Sequence, residues 1–141
     1  MKKNFNLFAA CAALFLFMAT VYSCANKPKK DNTLEVVSVS EMKELMKLDE
    51  VQVVDVRTKP EFESGHIKDA QNIVFDENFK EKIATLDKTK PIVVYCQKGG
   101  RSSKCAQIMM ESGFQEIYDL DGGLSKWVYD SETIEKEDAI N

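Results

Sequence analysis

The sequence predicts an α/β domain in which a parallel β-sheet is covered by helices on both faces. Two short runs, Val51–Val56 and Pro91–Cys96, consist mostly of β-branched and other apolar residues, as is typical of strands buried on both faces. Helical stretches of about 10–15 residues separate the apolar runs, and this alternation favours parallel βαβ units. The 141 residues, 44% of them hydrophobic and 30% charged, suffice for one domain with a core.

The remaining elements are predicted by local signals within residues 34–129, the predicted domain. The predicted strands are Leu34–Val39, Val51–Val56, Ala70–Val74, Pro91–Cys96 and one within Phe114–Leu120, and the predicted helices are Ser40 to about Leu48, Pro60–Ser64, Asn78–Leu86 and Ser102–Ser112. Ser40 is of a type that caps helix N-termini, and Pro60 suits a first helical turn. Gly65 and Gly113 are then expected to end their helices.

Residues 1–23 form a predicted signal peptide that lies outside the domain. Lys2 and Lys3 precede an apolar run, Leu7–Val21, which is shorter than the roughly 18 residues that a membrane-spanning helix needs. The run ends in Val21-Tyr22-Ser23-Cys24, which resembles the lipobox of bacterial lipoproteins. This resemblance implies cleavage before Cys24 and attachment of lipid to its sulfur. A signal peptide that is cut elsewhere and an uncleaved anchor helix are the alternatives.

The two segments that flank the domain are polar. Residues 24–33 contain three lysines and one proline without apolar periodicity, which indicates a tether. With a lipid on Cys24, this tether would hold the domain close to a membrane in the bacterial cell envelope, facing the periplasm or the exterior. Residues 130–141 contain five acidic residues against Lys136 and are predicted to form a solvated or frayed acidic tail.

Composition excludes several classes of partner. The formal net charge is −4, and the 19 basic residues are scattered along the chain, so nucleic acid is not a predicted partner. One histidine and four cysteines without a Cys-x-x-Cys pair provide none of the usual zinc motifs. No metal site and no cofactor are predicted.

The chemistry is predicted to lie in the loop Cys96-Gln97-Lys98-Gly99-Gly100-Arg101-Ser102. The preceding strand places Cys96 at the carboxyl edge of the sheet, where α/β proteins build their sites. The two glycines let the backbone curl so that its N–H groups surround the sulfur. The next helix contributes its positive N-terminal end, and Lys98 and Arg101 add two cations. Each of these features favours the thiolate, so we expect the pKa of Cys96 below the free value of about 8.5.

Three groups of residues, in order, resemble the signatures of the single-domain rhodanese-like sulfurtransferases. They are Val53–Arg57 with Glu61-Phe62, Gly65–Ile67 and Ala70–Ile73; the Cys96–Ser102 loop; and Leu120–Trp127. The resemblance covers about Val36–Trp127 and implies a rhodanese-like parallel sheet flanked by helices on both faces. Asp69 stands where glycine is common and Val74 where proline is common, and both departures concern a turn.

The resemblance also implies a reaction. In that family the loop cysteine takes a sulfane sulfur from a small anionic donor such as thiosulfate, holds it as a persulfide and passes it to cyanide or a thiol. Carried over, Cys96 is the nucleophile, and Arg101 orients and neutralises the donor. The implied substrate-binding loop consists of Gln97, Lys98, Gly99, Gly100 and Ser102.

Two other functions stay open. Phosphatases and arsenate reductases on the same scaffold also use a loop from cysteine to arginine, with five intervening residues, whereas four separate Cys96 from Arg101. The smaller ring favours one added sulfur over a tetrahedral oxyanion. A persulfide carrier that binds a partner, including a thiol-redox protein, is the second alternative.

Other notable residues receive structural interpretations. Cys105 shares an apolar helix face and is predicted to lie in the core, although a disulfide with Cys96 under oxidising conditions is kept open. His66 is predicted to make a structural hydrogen bond. Asp55 and Arg57 are predicted to form an ion pair that braces the following loop.

Overall fold

The computed structural model describes residues 31–48, 50–129 and 134–136. The strands are β1 (Thr33–Val37), β2 (Gln52–Asp55), β3 (His66–Ile67), β4 (Gln71–Asn72), β5 (Ile92–Tyr95), β6 (Glu116–Leu120) and β7 (Ile134–Glu135). The helices are α1 (Val39–Leu45), α2 (Lys59–Glu63), α3 (Phe79–Lys82, continued by a 3₁₀ turn over Ile83–Thr85), α4 (Gly100–Glu111) and α5 (Gly123–Tyr129).

Five strands form one parallel sheet in the order β1-β6-β5-β2-β4. β5 lies at its centre, paired with β2 on one side and β6 on the other. The predicted α/β fold with a central parallel sheet and flanking helices is confirmed. Because parallel strands end at a common edge, the residues that follow β2, β5 and β6 are brought together there.

Separate clusters of core residues cover the two faces of the sheet. One face packs Val94 of β5 against α3, α4 and their neighbours, including Phe79 and Met109. The other face packs Val93 and Tyr95 of β5 against residues of α1 and α5. All four residues of β5 are fully buried, which explains why its sequence is continuously apolar rather than alternating.

Helix starts differ from the predicted ones by one or two residues. Ser38, not Ser40, caps α1, because Glu41 stands three residues after Ser38 and completes a capping box. The Glu41 carboxylate accepts a hydrogen bond from the Ser38 amide at 2.8 Å, whereas Ser40 is followed at that spacing by Lys43, which cannot accept one. Similarly, α4 begins at Gly100 rather than at Ser102.

The turn between β3 and β4 explains one departure from the family signature. Asp69 has a φ of +61° and is the only non-glycine residue with positive φ among those that the structure describes. Aspartate tolerates this left-handed conformation better than most residues. The backbone shape that favours glycine is therefore retained. The strand predicted over Ala70–Val74 is shorter, however, and pairs with β2 only at Gln71 and Asn72.

Part of the predicted acidic tail belongs to the fold. Ile134 and Glu135 pair antiparallel with Ile67 and His66, so these two residues form a strand rather than a frayed end, while Glu135 is exposed to solvent as predicted. Ile134 packs against the core cluster on the α1–α5 face, and burial of this apolar side chain favours the pairing. Residues 130–133 and 137–141 lie outside the described residues.

The predicted signal peptide, Cys24 and most of the tether also lie outside the described residues. The last tether residue, Thr33, is the first residue of β1 and pairs with Glu116. No helix in the described parts of the chain combines the length and apolar character that crossing a membrane requires.

Candidate active site

The loop between β5 and α4 surrounds the sulfur of Cys96. Cys96 is 2% exposed and follows directly on the central strand. Gly99 has a φ of +94°, a conformation that side chains disfavour, and its N–H donates to Cys96 Sγ at 3.1 Å. The left-handed glycine therefore turns the chain so that a backbone donor points at the sulfur immediately before α4 begins.

The surroundings of Cys96 favour its thiolate. Burial alone raises the pKa of the thiol, but hydrogen bonds from the Ser102 and Lys98 amides, the Ser102 hydroxyl and the Arg101 amide outweigh burial, and the pKa is lowered. These donors are preorganised by the loop and by the first turn of α4. The direction agrees with the expectation from the sequence, and the result is a buried cysteine whose thiolate form is favoured.

The start of α5 holds the other side of the loop. The Leu124 amide donates to the carbonyl oxygen of Cys96 at 2.9 Å, and the Ser125 amide donates to that of Gln97 at 3.1 Å. A Cβ atom on Gly123 would lie 2.3 Å from the Cys96 carbonyl oxygen, so the approach requires glycine. The third family signature therefore contributes docking of the loop rather than a reactive side chain.

A buried ion pair stabilises the end of β2, next to the loop. Arg57 and Asp55 are 2% and 0% exposed and meet at 2.7 Å, which confirms the predicted pair. Arg57 also donates to the Gly65 carbonyl at 2.6 Å and to Gln97 Oε1 at 3.1 Å. Gln97 in turn donates to Ser125 Oγ at 3.0 Å. The side chain of Gln97 thus fastens the loop to its supports.

Arg101 is held by a carboxylate to which the sequence interpretation gave no role. Its two terminal nitrogens donate to Glu61 at 2.8 and 2.7 Å in a bidentate pair. This contact lowers the pKa of Glu61 to about 2. The same contact raises the pKa of Arg101, with a smaller contribution from Cys96. The guanidinium at the end of the loop is therefore held in place by Glu61.

A capping-box pattern in the sequence indicates that Glu61 lies at the start of a helix. Thr58 and Glu61 have the spacing of a capping box, and Glu61 accepts from the Thr58 amide and hydroxyl at 2.8 and 2.7 Å. The cap fixes the carboxylate at the start of α2. The tertiary fold brings this end of α2 to Arg101. The local sequence pattern does not reveal that contact.

Cations form the rim of the site. An open depression over the sulfur is lined by Cys96, Gln97, Lys98, Gly100, Arg101 and Lys104. Lys98 and Lys104 are exposed, and Arg101 is partly exposed. Lys104 was missed, although its position three residues after Arg101 places both on one side of α4. The arrangement suits an anionic ligand entering from solvent.

A second buried carboxyl lies behind the loop. Ser102 Oγ is 2.6 Å from Asp119 Oδ1, and the two residues are 0% and 5% exposed. Asp119 was also missed. Its sequence signal is an acidic residue between the apolar positions of β6, where a buried strand ordinarily has none.

Cys105 and His66 have the structural roles that were predicted. Cys105 is a free, fully buried thiol, and burial raises its pKa to about 12. His66 Nδ1 lies 3.0 Å from the Phe62 carbonyl oxygen, and its ring stacks on Phe62. No group of three His, Cys, Asp or Glu within residues 31–48, 50–129 and 134–136 is placed to hold a metal ion.

The fold and the loop define a class of protein: a small α/β domain that presents a cysteine thiolate in a ring of backbone amides at the edge of a parallel sheet. The model of the rhodanese-like domain matches residues 38–130. The chain belongs to the rhodanese-like family.

Two relatives and one solved structure agree with this assignment. The chain is 38% identical over 91 residues to thiosulfate sulfurtransferase GlpE of Shewanella oneidensis, covering 64% of this chain and 89% of that protein. It is 36% identical over 91 residues to thiosulfate sulfurtransferase GlpE of Coxiella burnetii, covering 64% and 84%. The crystal structure of a rhodanese-related protein from Thermoplasma volcanium superposes with a TM-score of 0.66 at 26% identity, covering 73% of this chain and 99% of that one.

Proposed function

We propose that this protein is a sulfurtransferase that moves a sulfane sulfur from an anionic donor such as thiosulfate to cyanide or a thiol through a persulfide on Cys96. The observation that carries the proposal is the ring of donors that lowers the pKa of a cysteine at the edge of the sheet. The similarity to two thiosulfate sulfurtransferases supports the same substrate class.

The first half-reaction loads the sulfur. The Cys96 thiolate attacks the outer sulfur of thiosulfate and forms a new S–S bond, while the bond between the two thiosulfate sulfurs breaks and its electron pair leaves with sulfite. No proton transfer is needed, because the attacking group is already a thiolate and sulfite leaves as an anion. Arg101 and the rim lysines, Lys98 and Lys104, attract the doubly charged donor, and the loop amides stabilise the negative persulfide.

The second half-reaction regenerates the enzyme. The carbon of cyanide, or the sulfur of a thiolate, attacks the outer sulfur of the persulfide. The bond to Cys96 breaks and its electron pair returns to Sγ, which leaves thiocyanate or a new persulfide as product. No external oxidant or reductant enters the balance.

Loop geometry favours sulfur transfer over phosphoryl or arsenate chemistry. Only four residues separate Cys96 from Arg101, and this short ring brings the Gly99 amide to 3.1 Å from the sulfur. Donors that converge closely on Sγ suit a single sulfur anion attached to it. The related phosphatases have a ring that is one residue larger and that accommodates a tetrahedral oxyanion. The number of residues in the loop therefore supports sulfur transfer.

Intact-mass measurement tests the proposal directly. Purified protein treated with thiosulfate should gain the mass of one sulfur atom on Cys96 and lose it, with release of thiocyanate, when cyanide is added. Failure to gain sulfur, together with hydrolysis of an aryl phosphate, would favour the phosphatase alternative. Sulfur loading without multiple turnovers by small acceptors would favour a carrier that delivers to a protein partner.

We also propose that the domain is held at the bacterial cell envelope by a lipid on Cys24, facing the periplasm or the exterior. The basic residues, apolar run and Val-Tyr-Ser-Cys box support this location. Cys24→Ala should release the protein from the membrane fraction or leave the precursor uncleaved. Unchanged membrane association with a removed signal segment would contradict the lipid anchor and leave the sulfur chemistry untouched.

A further inference from the structure

The outer edge of β1 carries backbone groups that point away from the sheet. β1 is the terminal strand of the five-stranded sheet and pairs with β6 on its inner side. The Thr33 amide and the Val37 carbonyl bond at 2.9 Å to the residues just before and just after β6. Because backbone groups alternate in direction along a strand, every second residue of β1 faces β6. The N–H and C=O groups of Leu34 and Val36 therefore face outward.

This edge has little of the protection that edge strands usually have. Among the residues that the structure describes, none bonds to the N–H or C=O of Leu34 or Val36. The Val36 side chain is 66% exposed, and β1 contains no proline or lysine, with Glu35 as its single charged residue. Free backbone donors and acceptors on an edge are a template for another strand. The edge of β1 is therefore open to one more strand.

A groove lies between β1 and α1, beside the open edge. Its volume is about 460 Å³, which is in the size range of ligand sites. Its apolar lining includes Leu45, Leu48 and the ring of Tyr118, and its acidic lining consists of Glu35, Glu41 and Glu44. Leu48 is 56% exposed. Glu44 meets Lys47 in an exposed pair, whereas no lysine or arginine in the described parts of the chain pairs with Glu35. The groove is therefore both apolar and negatively charged.

The charge of the groove selects the chemistry of an added strand. Side chains of a strand alternate between its two faces, so every second one would lie over the groove. Lysine or arginine suits these positions, because the apolar stem covers Leu45 and Leu48 while the charged head reaches the carboxylates. On the other face, an apolar residue of the added strand would pack beside Val36.

We propose that the edge of β1 docks an extended segment of a partner protein in which basic and apolar residues alternate. Backbone bonds to Leu34 and Val36 provide affinity, and the acidic groove selects basic side chains. A second copy of this chain does not fit, because joining two β1 edges would bring two acidic grooves together. The groove shares no lining residue with the depression over Cys96, so this docking surface is independent of the proposed function.

Two synthetic peptides, added to the full chain, test the proposal. Acetyl-Lys-Val-Lys-Val-Lys-Val-amide has the proposed alternation, and the Glu-Val counterpart has the same length and the opposite charge. Amide NMR spectra follow binding, and hydrogen exchange is measured for individual amides. At saturation, the Lys-Val peptide should slow exchange of the Leu34 and Val36 amides by about tenfold or more, because both gain acceptors. The amides of Thr33 and Glu35, which face β6, are internal references and should change little.

Two variants and a control identify the contacts. Val36→Pro removes an outward N–H without removing a bond to β6, and it should lower the affinity for the Lys-Val peptide by about fivefold, the effect of one lost hydrogen bond. Glu35→Gln should lower it by about threefold, as expected for one exposed ion pair. Glu111→Gln removes the same charge from the end of α4, which packs on the opposite face of the sheet, and should leave the affinity unchanged.

The proposal is overturned if the Lys-Val peptide does not bind, if the Glu-Val peptide binds equally well, or if exchange at Leu34 and Val36 stays unchanged on binding. Protection of these amides without peptide would also overturn it. Protection that rises with protein concentration would identify a second copy as the occupant, and protection independent of concentration a segment of the same chain. Circular dichroism shows whether each variant folds, and the wild-type exchange data decide the question even if Val36→Pro unfolds.

Discussion

The amide of Leu124 donates to the carbonyl oxygen of Cys96 at 2.9 Å, which joins the first turn of α5 to the loop. The Cys96 carbonyl is thus engaged by α5, while the Gly99 amide, three residues along the loop, donates to the sulfur at 3.1 Å. Within one loop, a backbone carbonyl bonds to α5 and a backbone amide bonds to the sulfur. The loop that surrounds Cys96 therefore depends on the backbone of a neighbouring helix.

Gly123→Ala tests this docking. Gly123 has a φ of +60°, and an added Cβ would lie 2.3 Å from the Cys96 carbonyl oxygen. We expect more than about 3 kcal/mol of lost stability and a raised Cys96 pKa, because strain and displacement of the loop act together. Urea unfolding and the pH dependence of alkylation measure the two effects.

Gly113→Ala is the matched control for that substitution. Gly113 also has positive φ, at +91°, but nothing lies within 4 Å of its added Cβ. Only the conformational cost of about 1–2 kcal/mol should appear, with Cys96 reactivity unchanged. Equal losses in both variants would show that the close contact with the loop has no effect.

Cys96→Ser should abolish sulfur transfer while the domain stays folded, because a serine hydroxyl is not ionised at neutral pH. Cys105→Ser should retain most activity and lose about 1–3 kcal/mol, since it places a hydroxyl in a fully buried apolar site. Thiocyanate release and urea unfolding are the measurements. Substantial turnover by Cys96→Ser would reject this cysteine as the nucleophile.

The sequence was most informative where residues act locally. The continuous apolar run of β5 predicted a strand buried on both faces, and the glycines between Cys96 and Arg101 predicted a curled loop of donors. Both depend on residues adjacent in the chain. Ser38 could have been chosen over Ser40 in the same way, because Glu41 lies at capping-box spacing from Ser38 alone.

The missed features depend on contacts between distant segments. Glu61 meets Arg101 across 40 residues, and Asp119 meets Ser102 across 17. Ile134 pairs with Ile67 from within an acidic stretch whose average composition indicates solvent exposure. No periodicity records these pairings, because each is created only when strand order brings separate segments to one place.

The lowered pKa of Cys96 should also appear in the stability of the fold. The pKa of this thiol is lower in the folded chain than in the unfolded chain, where it is about 8.5. The resulting stabilisation of the fold is complete above the unfolded pKa. It is lost as the pH falls through the folded pKa. The wild type should therefore gain stability over Cys96→Ser as pH rises from about 6 to about 9.

Urea unfolding at several pH values measures this difference. The buried Cys105 thiol, with its raised pKa, acts in the opposite sense, but it is present in both chains and largely cancels. A difference between the two chains that stays constant over the range would contradict a stabilised thiolate.

Glu61→Gln should weaken catalysis through Arg101. The carboxylate fixes the guanidinium with two hydrogen bonds, and a glutamine offers a single neutral acceptor, so Arg101 samples more orientations when the donor anion arrives. We expect kcat/KM for thiosulfate to fall by about tenfold, the effect of losing one charge-assisted bond, with the alkylation profile of Cys96 nearly unchanged.

Glu63→Gln is the matched control, because it removes the same charge from the same helix at a residue that pairs with Lys59. It should leave kcat/KM within about twofold of the wild type, as expected for a surface ion pair. Equal losses of kcat/KM in the two variants would show that Glu61 acts only through its long-range charge. A fall for Glu61→Gln only, abolished in an Arg101→Ala background, would establish that Glu61 acts by orienting Arg101.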